Sequence, residues 1–311
     1  MAGEPVHRRT YAVDVAAPAG VVYGLVADTT RWPLLVPPSI HVERLDFDGV
    51  RDRFQMWVTA DGAVKSWLSH RTLDPVARRI DFHQEVPAAP ALSLGGRWTV
   101  AETGADRCRL VLEHEFTVAG DRPGDAAWVG RVTDANSAAE LALLKGTAER
   151  WDRLDGLLLS FEESVRVKGP AELVYDYLCG IADWPGRVPH VLGADVVEQQ
   201  PGVQTVRTTT RSGDGTVRTA ESVRICFPHA LRIVSKETAP AGPLEAHTTE
   251  WSVLPDETGV TAVAQHHVLL RDLPGRGAAA VRAHVRDLFG AQSSTVLHLA
   301  ARHAESAVRA L

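Results

Sequence analysis

The chain repeats itself. Displaced by 152 positions, Val13-Asp14-Val15, Pro18-Ala19 and Val22-Tyr23 fall on Val165-Arg166-Val167, Pro170-Ala171 and Val174-Tyr175, with one difference, Asp14 against Arg166. The same displacement sets Trp32-Pro33-Leu34-Leu35-Val36-Pro37 on Trp184-Pro185-Gly186-Arg187-Val188-Pro189. After one inserted residue, Asp61-Gly62 through Phe82 runs on Asp214-Gly215 through Ser235 without a further gap; Trp98 then meets Trp251, and His114 meets His266. Such a period is far longer than the roughly 20–50 residues of a solenoid unit, so a whole domain has been copied once. The 311 residues divide into a first domain, 1–157, and a second, 158–311.

Each copy reads in the same order. Thr10 to Ala16 alternates as a strand does, and Pro18 opens a short helix over 19–26. The prolines of Trp32-Pro33 and Val36-Pro37-Pro38 restrict the next stretch to short helical turns or irregular structure. Six β-rich runs follow, roughly 40–47, 52–60, 63–73, 78–86, 96–102 and 107–118, separated by Asp-Gly, Asp-Pro and Thr-Gly turn signals that favour antiparallel hairpins. Asp125 to about Leu154 is Ala-rich and nearly free of Gly and Pro, which predicts a helix of several turns. The second copy predicts a strand over 160–167, a helix over 171–179, strands from 191 to 269 and a closing helix from about 276. The fold class is therefore α+β: two tandem domains, each a curved antiparallel sheet wrapped around a long C-terminal helix. A strongly curved sheet with a helix across its open side cannot fill its own centre, so each domain should hold an interior cavity.

Composition narrows what such cavities serve. Hydrophobic residues at 45% and charged residues at 23% are those of a folded, water-soluble chain. A net charge of −6, without a Lys/Arg cluster interleaved with aromatics, argues against nucleic acid. No apolar run reaches the ~18 residues of a membrane span, and the first residues lack the apolar stretch of a signal peptide, so no membrane partner and a cytoplasmic location are expected. Cys108, Cys179 and Cys226 are widely separated and read as small buried residues. Adjacent His266 and His267 face opposite sides of a strand and cannot chelate together. No metal is expected. There is no Gly-x-Ser-x-Gly elbow, and Leu94-Gly95-Gly96 lacks the strand-to-helix context of a phosphate loop, so cofactor-free chemistry fits best.

The strand Lys65 to Leu73 carries the main candidate. Its period of two places Trp67, Ser69, Arg71 and Leu73 on one face, and the two large apolar members assign that face to the interior. Ala220, Ser222, Arg224 and Cys226 repeat the arrangement. A guanidinium does not shed its charge, so an inward Arg needs a carboxylate, several carbonyls or a wet, ligand-filled cavity. Arg71 paired with a buried Glu, or turned to solvent on an inverted strand, are the competing readings.

Trp-x-Ser-x-Arg on this strand, Trp-Pro after the first helix, and the duplication together resemble the di-domain aromatase/cyclases of bacterial type II polyketide synthases. These belong with the helix-grip proteins, which include START and Bet v 1-like domains. The resemblance covers nearly the whole chain. It implies that Arg71 and Ser69 line a cyclisation pocket and that Arg224 and Ser222 line a second. It also implies an acyl carrier protein with a phosphopantetheine-tethered polyketide as partner, alongside other synthase components, and a monomer that is internally a pseudo-dimer. Ring closure between carbons 9 and 14 of a ketoreduced chain comes from the resemblance alone. Single-domain relatives offer a pocket tyrosine from the proline-broken segment, where this chain has Leu34, Leu35 and Val36.

The chemistry so implied is aldol closure followed by loss of water. Arg71 would hold a keto or enolate oxygen, Ser69 a neighbouring carbonyl, and Trp67 would cover the forming ring. Trp32 and Trp98 are further wall candidates. His114 shares a face with Leu112 and Phe116, and its counterpart His266 lies between Ala264 and Val268, so either is a wall histidine or a satisfied core residue. Asn136, aligned with Gln292 in the long helices, orients ketones if it faces the cavity. The general base stays open among His114, water and the substrate's own enol. A non-catalytic carrier of a hydrophobic molecule is the alternative for the same cavity.

Overall fold

A computed structural model describes residues 4–60, 62–257, 259–272 and 277–309. Asp61 and the helix start expected near 276 lie outside them. The chain forms two compact units, Met1–Asp155 and Gly156–Leu311.

The first unit opens with β1 (His7–Val15), α1 (Ala19–Ala27) and α2 (Trp32–Leu35). Six strands follow as a meander: β2 (Ser39–Phe47), β3 (Arg51–Ala60), β4 (Ala63–Asp74), β5 (Arg79–Gln84), β6 (Ala91–Gly104) and β7 (Arg107–Val118). The sheet order is β1-β7-β6-β5-β4-β3-β2, so the last strand returns to pair with the first. Two helices close the unit, α3 (Pro123–Ala148) and α4 (Trp151–Leu157). The second unit repeats this with β8 (Leu158–Val167), α5 (Ala171–Cys179), α6 (Trp184–Arg187), β9 (Val191–Gln200), β10 (Val203–Arg211), β11 (Val217–Phe227), β12 (Arg232–Glu237), β13 (Leu244–Asp256), β14 (Gly259–Leu270) and α7 (Ala278–Arg309). Its order is β8-β14-β13-β12-β11-β10-β9. Each is a helix-grip domain.

The closing helices are built to be gripped. Val296, Leu297, Ala300, Ala301 and Ala304 are buried along one face of α7, against Val174 and Leu178 of α5 and Ile233 and Ala262 of the sheet. Full burial of a side chain such as Leu297 contributes about 1.5–3 kcal/mol. Ala126 and Val129 of α3 meet Phe116 and Val118 in the same way. A carboxylate then ties each helix to its unit's first strand: Glu149 Oε1 accepts from the Ala16 N–H at 2.9 Å, and Glu305 Oε1 from the Lys168 N–H at 3.1 Å.

Two details depart from the sequence reading. The single helix expected from Asp125 to Leu154 breaks at Glu149-Arg150, whereas α7 runs unbroken. Strand β6 begins at Ala91, five residues before the expected 96, and carries Gly95-Gly96 in its interior. A Cβ on Gly96 would lie 2.0 Å from the Glu113 carbonyl and 2.8 Å from Phe82 Cζ, so glycine permits this close approach where it would ordinarily weaken a strand. No described helix is long and apolar enough to cross a membrane.

Candidate functional site

The site grows from the end of a short helix. An α-helix leaves its last carbonyls without intrahelical donors, and in the first unit two distant side chains supply them. Trp32 Nε1 donates to Leu25 O at 3.0 Å, while Arg71 donates from Nη1 to Val26 O at 2.9 Å and from Nη2 to Ala27 O at 2.7 Å. The second unit repeats the device. Trp184 Nε1 reaches Tyr177 O at 3.1 Å, and Arg224 reaches Leu178 O at 2.6 Å and Cys179 O at 3.2 Å. The Trp-Pro motif and the strand arginine thus meet at one helix terminus, where a cation is also favoured by the helix dipole.

The two arginines differ in their remaining partners. Asp52, opposite Arg71 in the β3–β4 register, accepts from its Nε at 3.0 Å and its Nη2 at 2.5 Å, with side-chain exposures of 3% and 0%. Every N–H of Arg71 but one is then engaged. Of the competing readings for Arg71, this geometry is the buried acid pair, with Asp52 in place of a Glu. Its counterpart partner is Gln204, whose Oε1 accepts from Arg224 Nη1 at 2.9 Å. No carboxylate pairs with Arg224 among the described residues. Burial lowers its pKa, although a guanidinium keeps its charge at neutral pH.

Arg224 borders a cavity of about 150 Å³ in the second unit, walled also by Trp184, Ala220, Ser222, Ser235 and Trp251. Two of these positions are enlarged in the first copy: Ala220 corresponds to Trp67, and Ser235 to Phe82. Trp67 packs with Trp32, Phe54 and Met56, and Phe82 lies edge-on to His114 at 5.4 Å. The second copy thus carries small residues on its cavity wall where the first carries aromatic rings.

The cavity's far wall holds a chain of hydrogen bonds. His266 Nε2 lies 2.7 Å from Ser293 Oγ on α7, and His266 Nδ1 lies 3.0 Å from His247 Nε2. Thr249 Oγ1 sits 3.2 Å from both of those facing ring nitrogens. Beyond, His247 Nδ1 is 3.6 Å from Glu237 Oε2, and Glu237 also binds Arg218. Burial, then the neighbouring His247, pushes His266 down to about 2, so its ring is neutral at physiological pH. Burial alone would raise Glu237, but hydrogen bonds from His247 and Arg218 hold it below the usual carboxylate value.

The first copy keeps the histidine and serine at one end of this chain without the rest. His114 Nδ1 and Ser137 Oγ are buried with no hydrogen-bond partner, and burial lowers His114 to about 4. Glu140, one turn past Ser137 and half-buried, is lifted to about 7 by loss of solvent. Ser69 is buried beside Arg71, and Trp98, like its cavity-lining counterpart Trp251, is buried. Asn136 is exposed on α3, whereas Gln292 borders the second cavity.

Sequence reasoning missed Asp52, Glu237 and His247. A signal for His247 existed: His247, Thr249 and Trp251 share one face of β13, so a tryptophan expected to face inward brings two polar neighbours with it. Of the three cysteines expected to be buried, Cys108 is, whereas Cys179 and Cys226 are only half-buried. Cys179 and Cys226 meet Sγ to Sγ at 3.6 Å, because α5 ends over β11.

A family model described as polyketide cyclase/dehydrase and lipid transport matches residues 15–139. The granaticin polyketide synthase bifunctional cyclase/dehydratase of Streptomyces violaceoruber is 34% identical over 310 residues, spanning 97% of this chain and 95% of that protein. The actinorhodin polyketide synthase bifunctional cyclase/dehydratase of Streptomyces coelicolor is 33% identical over 320 residues, spanning 97% and 96%. Among solved structures, the di-domain ARO/CYC BexL from the BE-7585A biosynthetic pathway has a TM-score of 0.88 at 40% identity, over 96% of this chain and 99% of that one. The di-domain ARO/CYC StfQ from the steffimycin biosynthetic pathway has a TM-score of 0.86 at 28% identity, over the same shares. With its duplicated grip, its paired helix-capping arginines and identity that runs nearly end to end, the chain belongs to the bifunctional cyclase/dehydratases of type II polyketide synthases.

Proposed function

We propose that this chain closes and dehydrates the first ring of a poly-β-ketone held by an acyl carrier protein, with Arg224 and Ser222 holding oxygens of the reacting segment. The observation that carries this reading is a buried cation, unpaired with any described carboxylate, in the wall of a cavity of about 150 Å³. A cavity of about that volume admits a benzene-sized ring. The methylenes of a poly-β-ketone are acidic between their carbonyls, so the protein's task is to fold the chain and stabilise the enolate. A fixed guanidinium in a partly dry site does so better than water, because its dipoles need no reorganisation. Trp184 and Trp251 supply flat apolar walls for the product ring.

In the first copy, Arg71 spends its donors on Asp52 and the helix end. We assign it the task of holding that wall in place, with Ser69 beside it. The tethered substrate requires the carrier protein to dock at a cavity mouth, and other synthase components to supply the chain.

The test is a reconstituted pathway. Omitting this protein should turn the product toward spontaneously cyclised shunts, and Arg224→Ala should give the same shunts while still melting cooperatively. An unchanged product on omission overturns the reading; tight binding of the polyketide without turnover favours a carrier. Product structure also reads the regiochemistry, and closure at carbons other than 9 and 14 overturns that part alone.

A further inference from the structure

The hydrogen-bonded chain on the far wall of the second cavity has no counterpart in the first, although the two copies share their backbone register. Thr249 pairs with His266 across β13–β14 as Gly96 pairs with His114 across β6–β7. At the matching positions, Arg218 replaces Lys65, Glu237 replaces Gln84, His247 replaces Leu94 and Thr249 replaces Gly96. Four changes in one copy assemble one continuous polar path ending at the cavity. Packing has no need of this: burying a second imidazole, a hydroxyl and a carboxylate costs free energy that leucine and glycine avoid and that an uncharged amide incurs less.

We propose that Ser293, His266, His247 and Glu237 form a proton relay that performs the dehydration half of the reaction in the second cavity. The inference rests on the cyclase/dehydratase reading above. In the resting state the Ser293 hydroxyl donates to His266 Nε2, His266 Nδ1–H donates to His247 Nε2, and His247 Nδ1–H points to the Glu237 carboxylate. The β-hydroxy ketone left by ring closure loses a proton from the carbon beside its carbonyl to Ser293 Oγ. The C–H electron pair becomes the enolate, whose oxygen faces Arg224. Ser293's own proton moves to His266, and the His266 Nδ1 proton moves to His247, which becomes an imidazolium against Glu237.

The second step runs the chain backwards. The enolate pair forms the C=C bond as the C–O bond breaks, and Ser293 gives its proton to the leaving hydroxide, which departs as water. His266 and His247 return to their first state. The proton taken from carbon leaves in the water, so no oxidant, reductant or metal enters the balance.

Ser293, at the cavity, is the catalytic residue, the two histidines carry the proton, and Glu237 and Arg218 position them. His266 is neutral at rest, as an accepting member of such a chain must be. Among the described residues, the other charged or titratable groups lining the cavity with the relay are Arg218 and Arg224 from β11 and His190. Phe161 of β8 and Phe289 of α7 flank the rings, while His267 turns away to Ser160.

The experiment uses the full chain and a synthetic β-hydroxycyclohexanone carried as an N-acetylcysteamine thioester, following loss of water by mass and by enone absorbance across pH. The wild type should show an ascending limb set by protonation of the relay. His247→Gln should slow dehydration by roughly a hundredfold or more, the usual weight of a general acid–base group. Glu237→Gln removes the carboxylate that faces the imidazolium, so its limb should move to lower pH, with a lower plateau. A wild type that does not dehydrate the probe sinks the cyclase/dehydratase reading. A wild type that does, with both variants unchanged in rate and limb, overturns the relay alone. Should a variant fail to melt cooperatively, the wild-type profile decides, and a rate with no protonation limb overturns the relay.

Discussion

Arg71 and Arg224 occupy one position in two copies, and their surroundings set opposite consequences for removing them. Arg71→Ala leaves Asp52, fully buried, without its counter-ion, and deleting one member of a buried pair costs about 3–5 kcal/mol. Arg224→Ala orphans two helix carbonyls and an amide oxygen but no charge, so its cost should be smaller and its effect on product larger. Urea denaturation read beside the product profile checks the ordering; equal destabilisation by the two changes would contradict it. Titration separates two further residues. His114 is lowered to about 4, so protons prefer the unfolded chain between about 4 and its ordinary 6.5, and stability gained from its neutral form is lost as pH falls through that window. Glu140 is raised to about 7, so its contribution runs the other way and is lost as pH rises from about 4.5 to 7. Relative to wild type, His114→Gln should flatten the rise of stability with pH, and Glu140→Gln should steepen it. Denaturant midpoints at several pH values measure both slopes.

Among the elements, the strands were the most legible part of the sequence. Alternation in Trp67, Ser69 and Arg71 gave the inward face, and Asp-Gly turns fixed where hairpins reverse. The Gly95-Gly96 pair misled, because a glycine inside a strand looks like its end until the facing Phe82 and Glu113 are known. The polar wall was hidden for a related reason. Glu237, His247, His266 and Ser293 come from three strands and a helix, and register rather than sequence spacing brings them together. Asp52 likewise meets Arg71 only through the β3–β4 ladder. The contrast between the copies invites a transplant. Ala220→Trp and Ser235→Phe, each importing the first copy's residue, should fill the second cavity, with turnover falling sharply while thermal stability stays near wild type. Full activity in the double variant would show that the reaction does not use this space.

For the whole molecule, the duplication was readable end to end because whole motifs recur at displacements that differ by a single residue, and this placed the fold and the family together. A net charge of −6 gives no global attraction to an acidic partner, so docking of the carrier protein proposed above would be local. Turnover of carrier-bound substrate should therefore fall between low and high salt, while turnover of a small free thioester should not. Equal salt dependence of the two substrates would argue against a docking patch. Finally, the close approach of Cys179 and Cys226 has a redox consequence. Their shared hydrogen bond favours thiolate at Cys179, where the Arg224 cation adds to it, and disfavours thiolate at Cys226, where burial adds to it, which leaves Cys179 in the form that attacks a thiol oxidant first. Closing their 3.6 Å gap to a bond of about 2.05 Å would pull on the last turn of α5, the turn whose carbonyls hold Arg224. Diamide, which takes up the two thiol hydrogens, should consume both thiols, leave Cys108 alkylatable after denaturation, and suppress turnover until dithiothreitol is added. Cys226→Ser should be indifferent to the same treatment, so that oxygen exposure during purification becomes a variable any assay of this cavity has to control.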